Sequence, residues 1–452
     1  MASLIASTIL LAGCAARGIS AESADTESGE NMAYRVVDNV DALRRVDGSV
    51  CSSVITEGYH ERGDGGNSQY YADPTMKSLA DNGGTIIVGN DGTRWRAVIC
   101  GALPLKLFGA VGDGATDDTA AIKSWLGELK KGGSGYAAAG TYVFTEPITL
   151  PDTDDISIRG DGAQQTIFMY AGEKTDCDLF TVGTGKNLRY GWLLDSFSID
   201  SKTKMNGGCG LMLNGLKHTN RIENVSFGRV NGQRGCNLWN GIFFNNCSLT
   251  DYVGFEIYTQ NEGIMICGVA DSDSGADISL DQGTITFTRV GIHLGGGFGG
   301  LYIGQVLIYG CYETGYLQDN SLCARGNREV IITDRCVLDA CHSYCALIDD
   351  KLSEQCVMQF GAFISGAGWI EPATPGDGLY IKSMPNGRIS VTSNHIKHCK
   401  GNGITIGDYT AYITVAPTTY LVGNGGRGIY SEKTAMRLKS DAVLLYNAAG
   451  DR

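Results

Sequence analysis

The sequence predicts an all-β chain wound as a right-handed parallel β-helix, and three observations predict it. Short apolar strands recur from about residue 140 to near the last residue. Glycine is abundant (64) and proline scarce (8) in 452 residues, so turns are many and rigid stops are few. One amphipathic helix stands just before the repeats, where a solenoid needs its open end covered.

That helix lies in Leu105–Tyr142. Leu105, Leu107, Ala110 and Val111 form a short apolar run, and Gly112-Asp113-Gly114 breaks it. Thr116-Asp117-Asp118-Thr119 offers hydroxyl and carboxylate caps for a helix start. Ala120, Ala121, Ile122, Trp125, Leu126 and Leu129 follow at helical spacing. Lys130-Lys131 suits the negative end of the helix, and Gly132-Gly133 stops it. A Gly-rich phosphate loop would need a Lys after the glycines, and none is present. The acids here read as turn and cap residues.

The repeat is imperfect. Segments starting at Gly210, Cys236, Gly254, Gly291, Gly315, Cys345, Gly378, Gly403 and Gly428 align, with starts 18 residues apart (236 to 254) to 37 apart (254 to 291). Most are followed by a second apolar strand, such as Ile285-TFTRV or Val306-LIYGC. A strand–turn–strand–turn unit of roughly 25 residues fits one coil, and only stacked coils bury a continuous core. The long gaps place insertion loops at Asp271–Ala276 and Gly366–Asp377.

Ahead of the helix, residues 36–46 suit a strand and a short helix. Tyr59–Gly66 reads as a turn holding His60 and Asp64. Strands are expected at Gln69–Ala72, Gly83–Val88 and Thr93–Val98, the last two around Asn90-Asp91-Gly92. The chain thus divides into a signal-like or flexible segment (1–33), a small module (34–104) and the β-helix (105–452). Leu4–Ala16 is apolar, and Leu11-Ala12-Gly13-Cys14 looks like a lipoprotein cleavage box, so lipidation at Cys14 is one expectation. Met1–Ser7 carries no Lys or Arg, and Met32 is an alternative start. The run is too short for a membrane span.

The net charge of −13 argues against nucleic acid as a partner. It also disfavours a strongly anionic polysaccharide unless a local basic patch or a cation is present. The 15 cysteines show no CxxC pairs, so no metal site and no cofactor is expected. Cys247, Cys311, Cys341 and Cys399 end apolar strands and read as buried free thiols.

Strand alternation sends Phe255, Ile257, Ile292, Leu294, Ile381 and Ile406 inward, and Glu256, Tyr258, His293, Tyr380 and Lys382 outward. With coils about 4.8 Å apart, Glu256 and His293 should be neighbours, with Asp319 and Asp349 one and two coils further on. Glu256, Asp319, Asp349 and His293 are the candidate catalytic residues, with Glu262 and Glu313 in reserve. Tyr258, Tyr380, Lys382 and Trp369 are the candidate sugar contacts. Two carboxylates about 5 Å apart suit retaining glycoside hydrolysis, and about 6.5–9.5 Å suits inversion.

The stretch FGAVGDGATDDTAAI, followed by the glycine- and tyrosine-rich strand at Gly135–Phe144, resembles the start of the pectate-lyase-like β-helix of bacteriophage tailspikes and related enzymes. The block GDGGNSQYYADP … DNGGTIIV … GTRWRAV is similar to the small module that precedes that β-helix. The resemblance implies a depolymerase that binds and cleaves a bacterial surface polysaccharide, a homotrimer, and a place on the virion tail or a secreted form. The G-H-G and R-I-K segments of polygalacturonase-type enzymes are absent; Gly291-Ile292-His293 and Tyr380-Ile381-Lys382 only echo them. A hydrolase is favoured by the acidic charge. A lyase using Asp319, Asp349 and Lys382, or a receptor-binding β-helix without catalysis, stays as an alternative.

Overall fold

The computed structural model describes residues 34–449 except 131, 186–187, 229–235, 270–274, 354, 370–375, 410–411 and 433–437. The signal-like segment with Cys14, residues 271–274 of the first expected insertion loop and 370–375 of the second lie outside the described residues.

Residues 35–97 form a five-stranded sheet. Arg35–Val37 runs parallel to Ser53–Thr56, and the remaining pairings are antiparallel, ending in the Ile86–Val88 and Arg94–Ala97 hairpin. The short helix is Val40–Leu43, capped where the Asn39 side chain accepts from the Ala42 amide. Leu43, Val54, Tyr70, Ile87 and Trp95 bury completely between the helix and the sheet. Asp64 holds its turn together by accepting from the amides of Tyr59, His60, Glu61 and Gly66.

The acids of the Gly-Asp-Gly-x-Thr-Asp-Asp run make turns. Asp113 accepts from the Ala115 and Thr116 amides. Asp117 accepts from the Thr119 amide, and buried Asp118 accepts from Val111 and Gly112. The helix that follows is Thr119–Glu128. Its Ile122, Trp125 and Leu126, with Leu129, join one continuous core with the first coil residues Phe144 and Ile158. The Trp125 indole donates to the Leu103 carbonyl, which ties the cap to the first strand of the solenoid.

Beyond it the chain coils. One sheet has eleven parallel strands, one per coil, running from Ile148–Thr149 to Ile429–Ser431. A second sheet of 24 strands takes up to two strands per coil and folds around the other sides. The coils enclose a dry stack: Ile264, Ile292, Tyr316, Ala346, Leu379 and Ile404 are all fully buried in successive strands of the eleven-strand face. The 14 described cysteines are unpaired, and Cys247, Cys311, Cys341 and Cys399 are buried at the turns.

The register corrects two of the nine aligned segments. The ladder places Gly210, Gly241, Gly263, Gly291, Gly315, Cys345, Gly378, Gly403 and Gly428 in one row. The segments at Cys236 and Gly254 do not belong to it. Cys236 lies in a turn, and Glu256–Ile257 pairs with Thr284–Ile285 in the 24-strand sheet. The row has a steric cause. A Cβ on Gly263 would stand 2.6 Å from the Gly291 carbonyl oxygen, one on Gly291 2.5 Å from that of Gly315, and one on Gly378 2.7 Å from that of Gly403. Gly254 instead has φ +71° and sits against Asn224, so its glycine answers a different need.

Two glycine substitutions should move stability in opposite directions. Gly378→Ala forces a methyl against the next coil and should cost about 1–3 kcal/mol. Gly127→Ala, in the cap helix with nothing within 4 Å of the new methyl, should gain about 0.5–1 kcal/mol. Urea denaturation of both variants beside the parent checks the pair; equal midpoints would contradict the steric account.

Candidate active site

Counting from the glycine row fixes which side chains leave the core. The first and third residues after each row position point inward: Ile292 and Leu294, Tyr316 and Gln318, Ala346 and Ile348 are buried. The second and fourth point outward. The second positions are Met265, His293, Leu317, Leu347, Tyr380, Thr405 and Tyr430 in consecutive coils. The fourth positions include Asp319, Asp349, Lys382 and Glu432. His293, Asp319, Asp349, Tyr380 and Lys382 therefore share one outer face.

Glu256 does not join them. Its outward position on the second sheet neighbours Thr284, and the residue beside His293 in the preceding coil is Met265. Tyr258 follows on that same second sheet, edge-on to Phe287 at 6.0 Å. Trp369 is exposed beyond the strand Phe363–Ser365; its indole donates to the His398 carbonyl at 2.6 Å, and Lys400 lies 5.7 Å from its ring. The adjacency expected of Glu256 fails because the Gly254 segment was aligned into the wrong sheet.

The outer face carries two polar groups. The first centres on His293, outward-facing yet only 4% exposed. Its Nδ1 lies 2.9 Å from Glu262 and its Nε2 2.9 Å from Asp319. The Ser321 hydroxyl donates to Asp319 at 2.9 Å. Behind Glu262, Arg289 donates to Glu262 at 2.9 Å, to Glu313 at 2.6 Å and to Asn261 at 2.6 Å. Asn261 in turn donates to Asn240. The second group lies along the next coils. Lys382 donates to Asp349 at 2.8 Å, and Tyr380 donates to Glu432 at 2.8 Å with the Tyr344 ring tilted against it at 5.4 Å. One oxygen of Asp349, Oδ1, is buried without a hydrogen-bond partner. Half-buried Leu317 and Leu347 stand between His293 and Tyr380 in the column of second positions.

Charge states follow from these contacts. Burial opposes a charge on His293, but its bonds to Asp319 and Glu262 prevail and lift its pKa to about 9. Burial likewise opposes ionisation of Asp319, yet the His293 bond and the Ser321 amide hold its carboxyl below the usual range. Lys382 is pushed up by its bond to Asp349. Tyr380 is pushed up by burial and by its bond to Glu432.

Arg289, Asn261 and Ser321 were not singled out by sequence reasoning, and Glu262 and Glu313 stood only in reserve. The signal that finds them is the corrected glycine row: Glu262 lies one residue before Gly263 and Arg289 two before Gly291, at the same corner of consecutive coils. A different concavity lies on the second sheet, a groove of about 490 Å³ bordered by Asp251, Asp277, Glu329 and Tyr302. Its lining is largely apolar, but it lacks the histidine coupled to carboxylates, so the eleven-strand face is the better candidate.

Comparison with known proteins agrees with this architecture. Residues 36–100 match the family described as phage tail protein small four-stranded beta-sheet domain. Residues 105–316 match the family described as rhamnogalacturonase A/epimerase, pectate lyase-like. Residues 36–100 are thus similar to a phage-tail module and residues 105–316 to a pectate-lyase-like β-helix. The pectate-lyase-like match takes in Glu262, Arg289 and His293 and stops short of Asp319 and Asp349. Among solved structures, the chain is similar to tailspike protein 2 of Escherichia coli O157:H7 bacteriophage CAB120, with TM-score 0.55 and 14% identity over 84% of this chain and 51% of that one. It is also similar to the gp42 tailspike of Acinetobacter phage vb_AbaP_AS12, with TM-score 0.59 and 12% identity over 92% of this chain and 75% of that one. This tailspike-like chain thus spans about half the length of the first; both likenesses are of fold. No curated protein matches it.

The His293 group gives the tailspike-like fold a defined pH window. A histidine whose pKa rises on folding from 6.5 to about 9 adds stability in full below 6.5 and loses it as pH climbs through about 9. Asp319, whose pKa falls on folding, contributes above its ordinary 3.8 and loses that contribution as pH drops. The urea midpoint should therefore fall between pH 6.5 and 9 in the parent. The fall should flatten in His293→Asn, and the imidazole NMR titration should move down in Asp319→Asn. An imidazole that titrates at its ordinary value in the folded parent would break this assignment.

Proposed function

We propose that this chain binds and cleaves a bacterial surface polysaccharide as a glycoside hydrolase, working on the outer side of the eleven-strand face. One observation carries the reading. Asp319 and Asp349 occupy the same outward position in consecutive coils, since Gln318 pairs with Ile348. Parallel strands lie about 4.8 Å apart, close to the roughly 5–5.5 Å between the carboxyls of retaining glycosidases. Their surroundings differ. Asp319 is kept ionised by His293, which suits the carboxylate that meets the sugar carbon. Asp349 holds Lys382 through one oxygen and is the carboxyl assigned the proton transfer at the glycosidic oxygen. Leu317 and Leu347 give a sugar ring an apolar floor, and Tyr380 closes one end.

Elimination is less well supported. A lyase needs a base that accepts a proton near neutral pH, and Asp349 holds the Lys382 amine in its charged form. A second reading, a receptor-binding β-helix without catalysis, is favoured by one fact: every charged group around His293 already has a partner within the chain. The phage-tail module supports a place on the virion tail, and a homotrimer is part of the same proposal. Among the described residues no helix is long and apolar enough to cross a membrane.

The deciding assay incubates the protein with capsular, exopolysaccharide and O-antigen glycans and follows both new reducing ends and the ultraviolet absorbance of unsaturated uronates. Reducing ends without absorbance are expected, with loss of about 10²-fold or more in Asp319→Asn and in Asp349→Asn. Undiminished cleavage in both variants would remove the carboxylate pair from the mechanism, and absorbance at cleavage would select the lyase.

A further inference from the structure

The groove of about 490 Å³ on the 24-strand sheet lies across the strands Ser248–Val253, Ala276–Asp281, Leu301–Ile303 and Glu329–Ile332. Two outward columns form its floor. The ladder places Asp251, Ser279, Tyr302 and Ile331 side by side in consecutive coils. Two residues earlier in each coil stand Leu249, Asp277, Gly300 and Glu329. Between the columns, Thr250, Ile278, Leu301 and Val330 are buried, so both columns face outward.

Shape and polarity distinguish this groove from an ordinary solvated sheet. Gly300 leaves a gap between Asp277 and Glu329, whose column positions are two coils, or about 9.6 Å, apart. A Cβ on Gly300 would lie 2.7 Å from Asp277 Oδ1, so that carboxylate overhangs the gap. Apolar surface borders it: Leu249 is 45% exposed and Tyr302 37%, with half-buried Ile331 beside them. Leu249 also holds left-handed backbone, φ +47°, which a side chain of that size rarely adopts. At the groove's edge Arg221 is the ladder neighbour of Asp251 and pairs with Glu223 at 2.8 Å.

We infer that this groove is a second saccharide site, which takes an uncharged sugar ring over Gly300. A pocket of this volume, largely apolar with a few placed polar groups, suits a small ligand. The apolar face of the ring meets Tyr302 and Leu249. Its hydroxyls donate to Asp277 and Glu329 on either side of the gap, and bonds to a charged acceptor are the stronger kind. The same carboxylates, with Asp251 close by, repel a uronate ring. Asp319 and Asp349 lie on the other sheet, so a glycan held here leaves them free. Only the bacterial origin of the sugar rests on the proposed function; binding of an uncharged saccharide is independent of it.

The test titrates neutral gluco-, galacto- and manno-hexasaccharides, and hexagalacturonate as the anionic comparator, into the full chain, read by calorimetry. Tyr302→Ala, Glu329→Gln, Gly300→Ala and Asp319→Asn are titrated alongside. Saturable binding is expected for at least one neutral hexasaccharide and not for hexagalacturonate. Tyr302→Ala and Glu329→Gln should each weaken it by about tenfold or more, with an unchanged melting temperature because both side chains face outward. Gly300→Ala, which fills the gap, should weaken it as well, and Asp319→Asn should leave it intact. Failure of every neutral hexasaccharide to bind, equal binding of hexagalacturonate, or parent-like binding in both Tyr302→Ala and Glu329→Gln overturns the site, as does binding lost in Asp319→Asn. Binding that depends on Tyr302 in a chain that cleaves no glycan upholds the site while removing the hydrolase.

Discussion

The structure depends on how closely one coil can approach the next. Parallel ladders set the coil spacing at about 4.8 Å, and at one corner the backbones meet with no room for a side chain. The row from Gly210 to Gly428 is that corner, broken by cysteine only at position 345. It keeps successive strands in register, and register decides which residue of each coil faces water. Because the side-chain period is two, a slip of one residue would turn every outward group into the core. The outer face that carries the charged groups is thus a consequence of backbone contact at the glycines.

The same constraint shows what could be read from the sequence. The capping helix, the small sheet and most coil strands carry strong local signals, namely helical spacing, turn residues and alternation. They were legible without any tertiary information. The site was legible in part. Asp319, Asp349, Tyr380 and Lys382 lie in coils whose starts, Gly315, Cys345 and Gly378, belong to the row, and the structure places them along one face with His293. Glu256 was misplaced because both sheets use short apolar strands that follow a glycine. Gly254 is demanded by a left-handed backbone and Gly263 by a carbonyl one coil away. Those two causes look alike in one dimension. The distinguishing clash involves Gly291, 28 residues further along.

Ion pairs in such a fold connect residues about one coil apart in sequence. Arg289 reaches Glu262 across 27 residues and Glu313 across 24; His293 reaches Glu262 across 31 and Asp319 across 26. No local motif announces them. Their energetics also differ from those of a surface pair. His293 and Glu262 are almost wholly buried, so desolvation is costly, and the arrangement survives because each charge meets an opposite one with good hydrogen-bond geometry. Removing one member would leave its neighbour buried and unpaired, which is usually worse than never having had the pair. The chain Glu313–Arg289–Glu262–His293–Asp319 thereby passes rigidity from the coil corner to the outward carboxylate.

Rigidity of that kind bears on how an acidic chain could handle a charged glycan. A long row of carboxylates would repel any polyanion laid along the coils. Here the negative charges on the face are largely answered, Asp319 by His293 and Asp349 by Lys382. Beside those carboxylates Leu317 and Leu347 lie between His293 and Tyr380, so charge and apolar surface run side by side down the coil axis. A ligand that met both would do so with a repeating unit rather than a single sugar. A solenoid suits such recognition because its own repeat supplies matched positions at a fixed spacing, and small differences between coils, here His293, Asp319, Asp349 and Lys382, distinguish one position from the next.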